Sequence, residues 1–101
     1  MIHHIVLWNL KEKLSETEKR EAALRIKKEL EAVKDEVDGV VSLKVVTDGL
    51  SSGNRDIALI SVFETEEALK AYQVHPAHVN AAGFVGSVTE NRTCFDYEDT
   101  K

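Results

Sequence analysis

Hydrophobic residues follow a two-residue period in some segments of the chain and a helical period in others. Residues 2–10, IHHIVLWNL, are rich in β-branched and aromatic side chains and are typical of a strand. Alternation along that strand gives one face with Ile2, His4, Val6 and Trp8 and another with His3, Ile5 and Leu7. Both faces are mostly apolar, so we expect helices to cover one and another structure to cover the other.

The next segment has the pattern of an amphipathic helix. Residues 15–18 form a capping box, in which Ser15 can accept from the backbone of Glu18 and Glu18 can reach back. Apolar residues then recur along one stripe, at Ala23, Ile26, Leu30, Val33 and Val37. We expect a helix from about residue 16 to the mid-thirties, with Gly39 marking its exit.

Three more strands and two more helical segments follow. Strand patterns cover residues 40–46, 56–63 and 91–98, and residues 48–54 have the composition of a loop. Thr65 is a good N-cap for a second helix, which must end near His75 because a residue before proline avoids the α region. Pro76 can begin a further short helix, which we expect Gly83 and Gly86 to break.

The order β-α-β-β-α-β predicts an α+β fold, with a single domain over residues 1–101. It is the ferredoxin-like arrangement, a four-stranded antiparallel sheet with its helices on one face. We expect Val6, Trp8 and Leu59 on the face without helices. A second copy packed there would cover them and close a dimeric α/β barrel, with Trp8 in the dimer core.

The composition argues against several classes of function. The chain has 101 residues, a net charge of −5 and no basic cluster, which argues against nucleic acid or an anionic membrane as a partner. No apolar run is long enough to span a bilayer and no signal peptide is recognisable, so we expect a cytoplasmic protein. The single cysteine, Cys94, excludes an internal disulfide and a cysteine-based zinc site, which needs several cysteines. We expect its side chain to be a small buried apolar group.

Side chains that could take part in acid–base chemistry are concentrated in residues 72–79, YQVHPAHV. His78 could act as a general base near neutral pH, and the Tyr72 phenol could orient it or stabilise a developing oxyanion. The alternative is that both side chains only join two helices at a corner. We expect His75, before Pro76, to cap the following helix.

The sequence gives weaker indications of a functional role for the other polar residues. His4 shares a face with apolar residues, where a histidine is more often a core residue than a ligand-binding group. Arg92 could bind a carboxylate or enolate inside a barrel, or form an ion pair with Asp96 or Glu90. The histidines have no carboxylate at a matching spacing, so we expect neither a metal nor another cofactor.

Four segments resemble the stress-responsive dimeric α/β-barrel (Dabb) family: HIVLW, DIALISVFET, YQVHPAHV and FDYE. The resemblance covers nearly the whole chain and implies a ferredoxin-like protomer in a homodimeric barrel. The family includes plant stress-associated proteins, bacterial members and a plant polyketide cyclase. The cyclase's proposed catalytic pair matches His78 and Tyr72, and one of its pocket histidines matches His4.

The chain departs from that cyclase at several pocket positions. Ile57 stands where the cyclase has another histidine, and Ala22, Ala23 and Ile26 replace bulky aromatics on its first helix. These differences argue against a shared substrate.

Three functions therefore remain open. The first is a homodimeric barrel that binds a small apolar or aromatic ligand without chemistry. The second is a cofactor-independent cyclase, isomerase or lyase with His78 as base and Tyr72 as its partner. The third, weaker, is a cofactor-free monooxygenase. Beyond the catalytic pair, the predicted ligand-binding residues are His4, Val6, Trp8, Ile26, Ile57, Leu59 and Arg92.

Overall fold

A computed structural model describes residues 1–99 and contains four strands and three helices. The elements are β1 (Ile2–Leu10), α1 (Glu16–Val33), β2 (Val40–Val46), β3 (Ile57–Phe63), α2 (Glu66–Val74), α3 (Pro76–Val88) and β4 (Thr89–Glu98). The ferredoxin-like prediction is confirmed, and the two helical segments predicted on either side of His75 and Pro76 are α2 and α3. Within residues 1–99, none of the helices is long and apolar enough to cross a membrane.

The sheet is antiparallel throughout, with the strand order β2-β3-β1-β4. β1 is a central strand, where it pairs with β3 on one side and with β4 on the other. The register places His4 opposite Ser61 on β3 and opposite Asp96 on β4. Residues from the first and last strands therefore meet side by side although they are far apart in sequence.

Helix α1 forms as its sequence predicts at the N-terminus. Ser15 and Glu18 make both bonds of the capping box. The helix buries Ala22, Ile26, Leu30 and Val33, so the apolar stripe includes Ala22 where Ala23 was expected. Gly39 does not end the helix, which stops at Val33. It lies in the turn before β2 with a φ of 86°.

The corner between α2 and α3 is built by His75 and Pro76. His75 has extended backbone, ends α2, and accepts a hydrogen bond from the backbone N–H of Ala77 through Nδ1, at 3.1 Å. This confirms its predicted cap. The prediction that glycines break the next segment is wrong, because α3 runs through Gly83 and Gly86 to Val88. A glycine costs a helix only about 1 kcal/mol, and burial of Ala81 and Val85 in the core compensates for it.

The predicted assignment of the two sheet faces is also wrong. Val6, Trp8 and Leu59 lie beneath the helices, buried in the core of one protomer. Trp8 is therefore a core residue of the protomer and not of a dimer interface. Both faces of β1 are apolar, so alternation alone could not show which one the helices cover. The opposite face, called the open face below, carries His3, Ile5, Leu7, Ala58, Ile60, Val62, Phe95 and Tyr97.

Candidate functional site

A cavity of about 240 Å³ lies between the sheet and the helices. Its lining comes from β1, β3 and β4 below and from all three helices above: His4, Val6, Trp8, Leu30, Leu59, Tyr72, His78, Ala82, Val85 and Arg92. The two predicted catalytic residues and five of the predicted ligand-binding residues thus share one cavity. Ile26 and Ile57 do not line it; they are fully buried in the core.

A larger space of about 750 Å³ lies between α1 and α3, where Arg25 stacks over the Phe84 ring. It is an open surface groove, and it includes none of the predicted site residues. The smaller, more enclosed cavity is therefore the better candidate site.

Tyr72 enters the cavity from the last turn of α2. Its side chain is fully buried, and its hydroxyl has no hydrogen-bond partner among residues 1–99. Burial raises the pKa of Tyr72 to about 12, so the phenol stays protonated at neutral pH. The hydroxyl is therefore a neutral donor that is available to a molecule in the cavity.

His78 lies in the first turn of α3 against Tyr72, with 4.4 Å between the ring centroids. Its Nδ1 donates to the Gln73 carbonyl at 3.1 Å, because a carbonyl can only accept. This tautomer leaves a lone pair on Nε2. Burial lowers the pKa of His78, the bond to the Gln73 carbonyl partly opposes this shift, and the charges of His4 and Arg92 add to it. The imidazole is thus neutral near pH 7 and able to accept a proton.

His4 reaches the cavity from β1 and is 3% exposed. Its Nδ1 lies 2.5 Å from Oδ1 of Asp96 on β4. The ring also meets Tyr72 edge-on, with 6.4 Å between the centroids. His4 is therefore a core histidine with a carboxylate partner that also lines the cavity.

Arg92 lines the cavity from β4, beside the Cys94 thiol. The predicted ion pairs of Arg92 with Asp96 and Glu90 are absent among residues 1–99, and Asp96 contacts His4 instead. Cys94 is exposed, so its predicted burial is wrong; β4 is an edge strand, and residues 90–99 are all exposed. Partial burial of its sulfur, together with Asp96, raises the pKa of the thiol, and Arg92 opposes this rise.

Sequence reasoning missed Asp96 as a partner of His4. The two residues are 92 positions apart, and only the pairing register of β1 with β4 brings them together. Alternation along residues 91–98 places Arg92, Cys94 and Asp96 on one face of the strand. The pattern does not show which strand lies beside β4.

Residues 2–99 match the model of the Stress Responsive A/B Barrel Domain family, Dabb. The chain belongs to this family. The matched residues include every strand and helix of the fold. Among curated proteins, no sequence matches it.

Solved structures similar to this Dabb chain include two that are described as dimeric and ferredoxin-like. One, from Bacteroides fragilis, is 30% identical, with a TM-score of 0.90 and coverage of 97% of this chain and 95% of that chain. The other, from Thermobifida fusca, is 21% identical, with a TM-score of 0.79 and coverage of 97% and 90%. A structure described as an antibiotic biosynthesis monooxygenase is 12% identical, with a TM-score of 0.78 and full coverage of both chains. At that identity, the likeness concerns the fold alone.

Proposed function

We propose that this Dabb protein is a homodimer in which each protomer binds a small aromatic or apolar molecule in the cavity beside Tyr72 and His78. The observation that carries the proposal is the buried Tyr72 hydroxyl, which has no partner among residues 1–99 and lines an enclosed cavity. A buried polar group without a hydrogen bond costs roughly 1–3 kcal/mol. A ligand oxygen that accepts from this hydroxyl would recover that cost.

The lining suggests the chemistry of the ligand. Val6, Trp8 and Leu59 form an apolar wall suited to a ring or a short alkyl chain. Tyr72 and Arg92 supply donors to the same space, and the guanidinium favours an anionic oxygen. An aromatic acid, a phenol or an enolate would pack its apolar part against this wall and accept hydrogen bonds from these donors. The volume of about 240 Å³ lies below the roughly 300 Å³ lower limit of drug-sized pockets, which favours a single-ring molecule.

The homodimer has support from the open face and from the relatives. Phe95 is 65% exposed on that face, beside partly exposed Ile60 and Tyr97. Apolar side chains grouped in this way are typical of an association surface. The similar structures from Bacteroides fragilis and Thermobifida fusca are described as dimeric.

Binding is tested by isothermal titration with benzoate, salicylate and phenol. We expect at least one to bind, and we expect Arg92→Gln and Tyr72→Phe each to weaken binding by roughly tenfold or more, as loss of a charged or buried hydrogen bond of about 1.5 kcal/mol would. Lys70→Gln, an exposed change away from the cavity, is the matched control. Absence of binding by all three compounds, or binding that is unchanged in Arg92→Gln, would contradict the proposal.

A cofactor-independent cyclase, isomerase or lyase is the second candidate function. The His78 tautomer favours it, since Nε2 keeps a lone pair while burial lowers the pKa of the imidazole. In that case His78 would take a proton from the carbon next to a carbonyl, and the neutral Tyr72 hydroxyl would donate to the developing enolate oxygen. The monooxygenase alternative has only the fold likeness in its support.

The enzyme candidate is tested by proton exchange in D₂O with an aryl methyl ketone such as acetophenone. Wild-type protein should accelerate deuterium uptake at the methyl group, as followed by NMR, and His78→Ala should abolish the acceleration while it leaves the fold and dimer intact. His75→Asn, which keeps a capping side chain at the same corner, is the control. Equal exchange with wild type and His78→Ala would exclude His78 as the base.

A further inference from the structure

A second cluster of ligand-type side chains lies at the β4 edge of the cavity. His4 Nδ1, Cys94 Sγ and Asp96 Oδ1 all lie within 4.8 Å of one another. Nδ1 is 2.5 Å from Oδ1 and 3.8 Å from the sulfur, and the sulfur is 3.5 Å from Oδ1. A nitrogen, a sulfur and an oxygen atom thus converge on one point, an arrangement that neither ligand binding nor proton transfer in the cavity requires.

The sheet holds this cluster in place. His4 pairs with Asp96, and the next residue on the same face of β1, Val6, pairs with Cys94. The two β4 side chains therefore project on the face from which His4 projects. Because His4 is 3% exposed and packed edge-on against Phe63, its ring has little freedom to turn away. Two of the three groups come from an edge strand and one from a rigid central strand.

The separations resemble those of a tetrahedral zinc centre. With Zn–S near 2.3 Å and Zn–N and Zn–O near 2.0 Å, tetrahedral angles put the sulfur about 3.5 Å from each of the other donors and N about 3.3 Å from O. The sulfur separations of 3.8 and 3.5 Å are close to these values. The N–O separation of 2.5 Å is shorter because a proton now joins the two atoms.

Opening the N–O contact needs a movement of about 0.8 Å, the difference between the hydrogen-bonded and metal-bound separations. The Asp96 side chain is 41% exposed on an edge strand, so it can make this movement without disturbing the core. A metal ion would then take the place of the shared proton.

We propose that His4, Cys94 and Asp96 bind one Zn²⁺ ion per chain. A thiolate, an imidazole and a carboxylate form a donor set that suits zinc and disfavours Mg²⁺ and Ca²⁺, which prefer oxygen donors alone. The thiolate and carboxylate balance the charge of the ion. Three protein ligands leave a fourth position for water or for an anion. His4 lines the cavity and Arg92 lies beside Cys94, so an anion at that position would also face the guanidinium.

The test is a Co²⁺ titration of chelator-treated, full-length protein, followed by absorption spectroscopy. We expect one equivalent to produce visible tetrahedral bands together with a near-ultraviolet thiolate charge-transfer band, and Zn²⁺ to displace both. Cys94→Ser should remove the charge-transfer band, and Cys94→Ser and Asp96→Asn should each weaken binding by roughly 100-fold or more, since even residues behind metal ligands contribute 10–100-fold. Both residues are exposed, so the variants should fold, as circular dichroism can verify.

His3→Ala is the matched control, since His3 is the neighbouring histidine but lies on the open face, stacked on Tyr97. It should bind Co²⁺ as wild type does. A wild-type protein without the thiolate band, or a band that survives in Cys94→Ser, would overturn the zinc proposal. The titrations with benzoate, salicylate and phenol use metal-free protein, so they can succeed where metal binding fails and the two proposals are tested separately.

Discussion

Tyr72 shows at the scale of one residue how a side chain suited to ligand binding can reduce stability. Its buried hydroxyl lacks a partner among residues 1–99, so the folded protein loses the hydration of that group without a compensating hydrogen bond. Tyr72→Phe should therefore raise the free energy of unfolding by about 1 kcal/mol while it weakens ligand binding. Urea denaturation measures the first effect. Tyr97→Phe, with its ring exposed on the open face, should change stability little.

A destabilised Tyr72→Phe protein would contradict this account. That result would mean that the hydroxyl has a stabilising partner in solution, and the ligand argument would lose its main support.

His78 makes stability depend on pH in a defined direction. Burial, followed by the charges of His4 and Arg92, lowers its folded-state pKa below the ordinary 6.5, while the Gln73 carbonyl opposes the shift. As the pH falls, the unfolded chain takes up the proton first. The contribution of His78 to stability is thus complete above about pH 6.5 and is lost as the pH falls through the lowered folded-state pKa.

His78→Gln should consequently lose less stability than wild type between neutral pH and about pH 5, near which carboxylates begin to dominate the titration. Urea midpoints at the two pH values measure the difference. If both proteins lose the same amount, the imidazole is not held in its neutral form by the fold.

Local sequence could predict Tyr72 and His78 as neighbours, because both flank one proline-defined corner. It could not predict that Asp96 would partner His4, or that Cys94 would be exposed. Both facts depend on β4 being the edge strand next to β1, and the spacing of residues within β4 carries no information about its neighbour.

At the scale of elements, the sequence is enough to predict the helix caps but not the end of α3. Ser15, Thr65 and His75 cap helices as expected, since each needs only contacts within a few residues. Gly83 and Gly86 were expected to end a helix, yet α3 continues through both. Packing against α1 and the sheet outweighs a local preference of about 1 kcal/mol.

Alanine substitutions at Gly86 and Gly39 should have opposite effects on stability. At Gly86, an added Cβ meets no atom within 4 Å, so Gly86→Ala should stabilise the protein by roughly 0.5–1 kcal/mol. At Gly39, with a φ of 86°, the added Cβ would lie 2.6 Å from the Ala68 Cβ. Gly39→Ala should therefore destabilise by more than the roughly 1–2 kcal/mol cost of the left-handed conformation alone. Thermal unfolding of both variants decides whether backbone geometry explains these positions.

At the scale of the whole molecule, the order of elements was enough to predict the ferredoxin-like fold. The two sheet faces were not distinguishable, because β1 and β3 are apolar on both sides. Which side the helices cover depends on how the chain turns after each strand. As a result, His4, Val6, Trp8 and Leu59 line a cavity within one protomer, and the open face is not covered by helices.

The open face should therefore decide the oligomeric state. Phe95→Glu puts a charge at its most exposed aromatic residue, and burial of a charge in an apolar interface is costly. We expect wild type to be dimeric and Phe95→Glu monomeric at micromolar concentration by light scattering. Val74→Glu, at an apolar position of α2 that is 75% exposed, should leave the dimer intact. Dissociation by Val74→Glu and not by Phe95→Glu would move the interface to the helices.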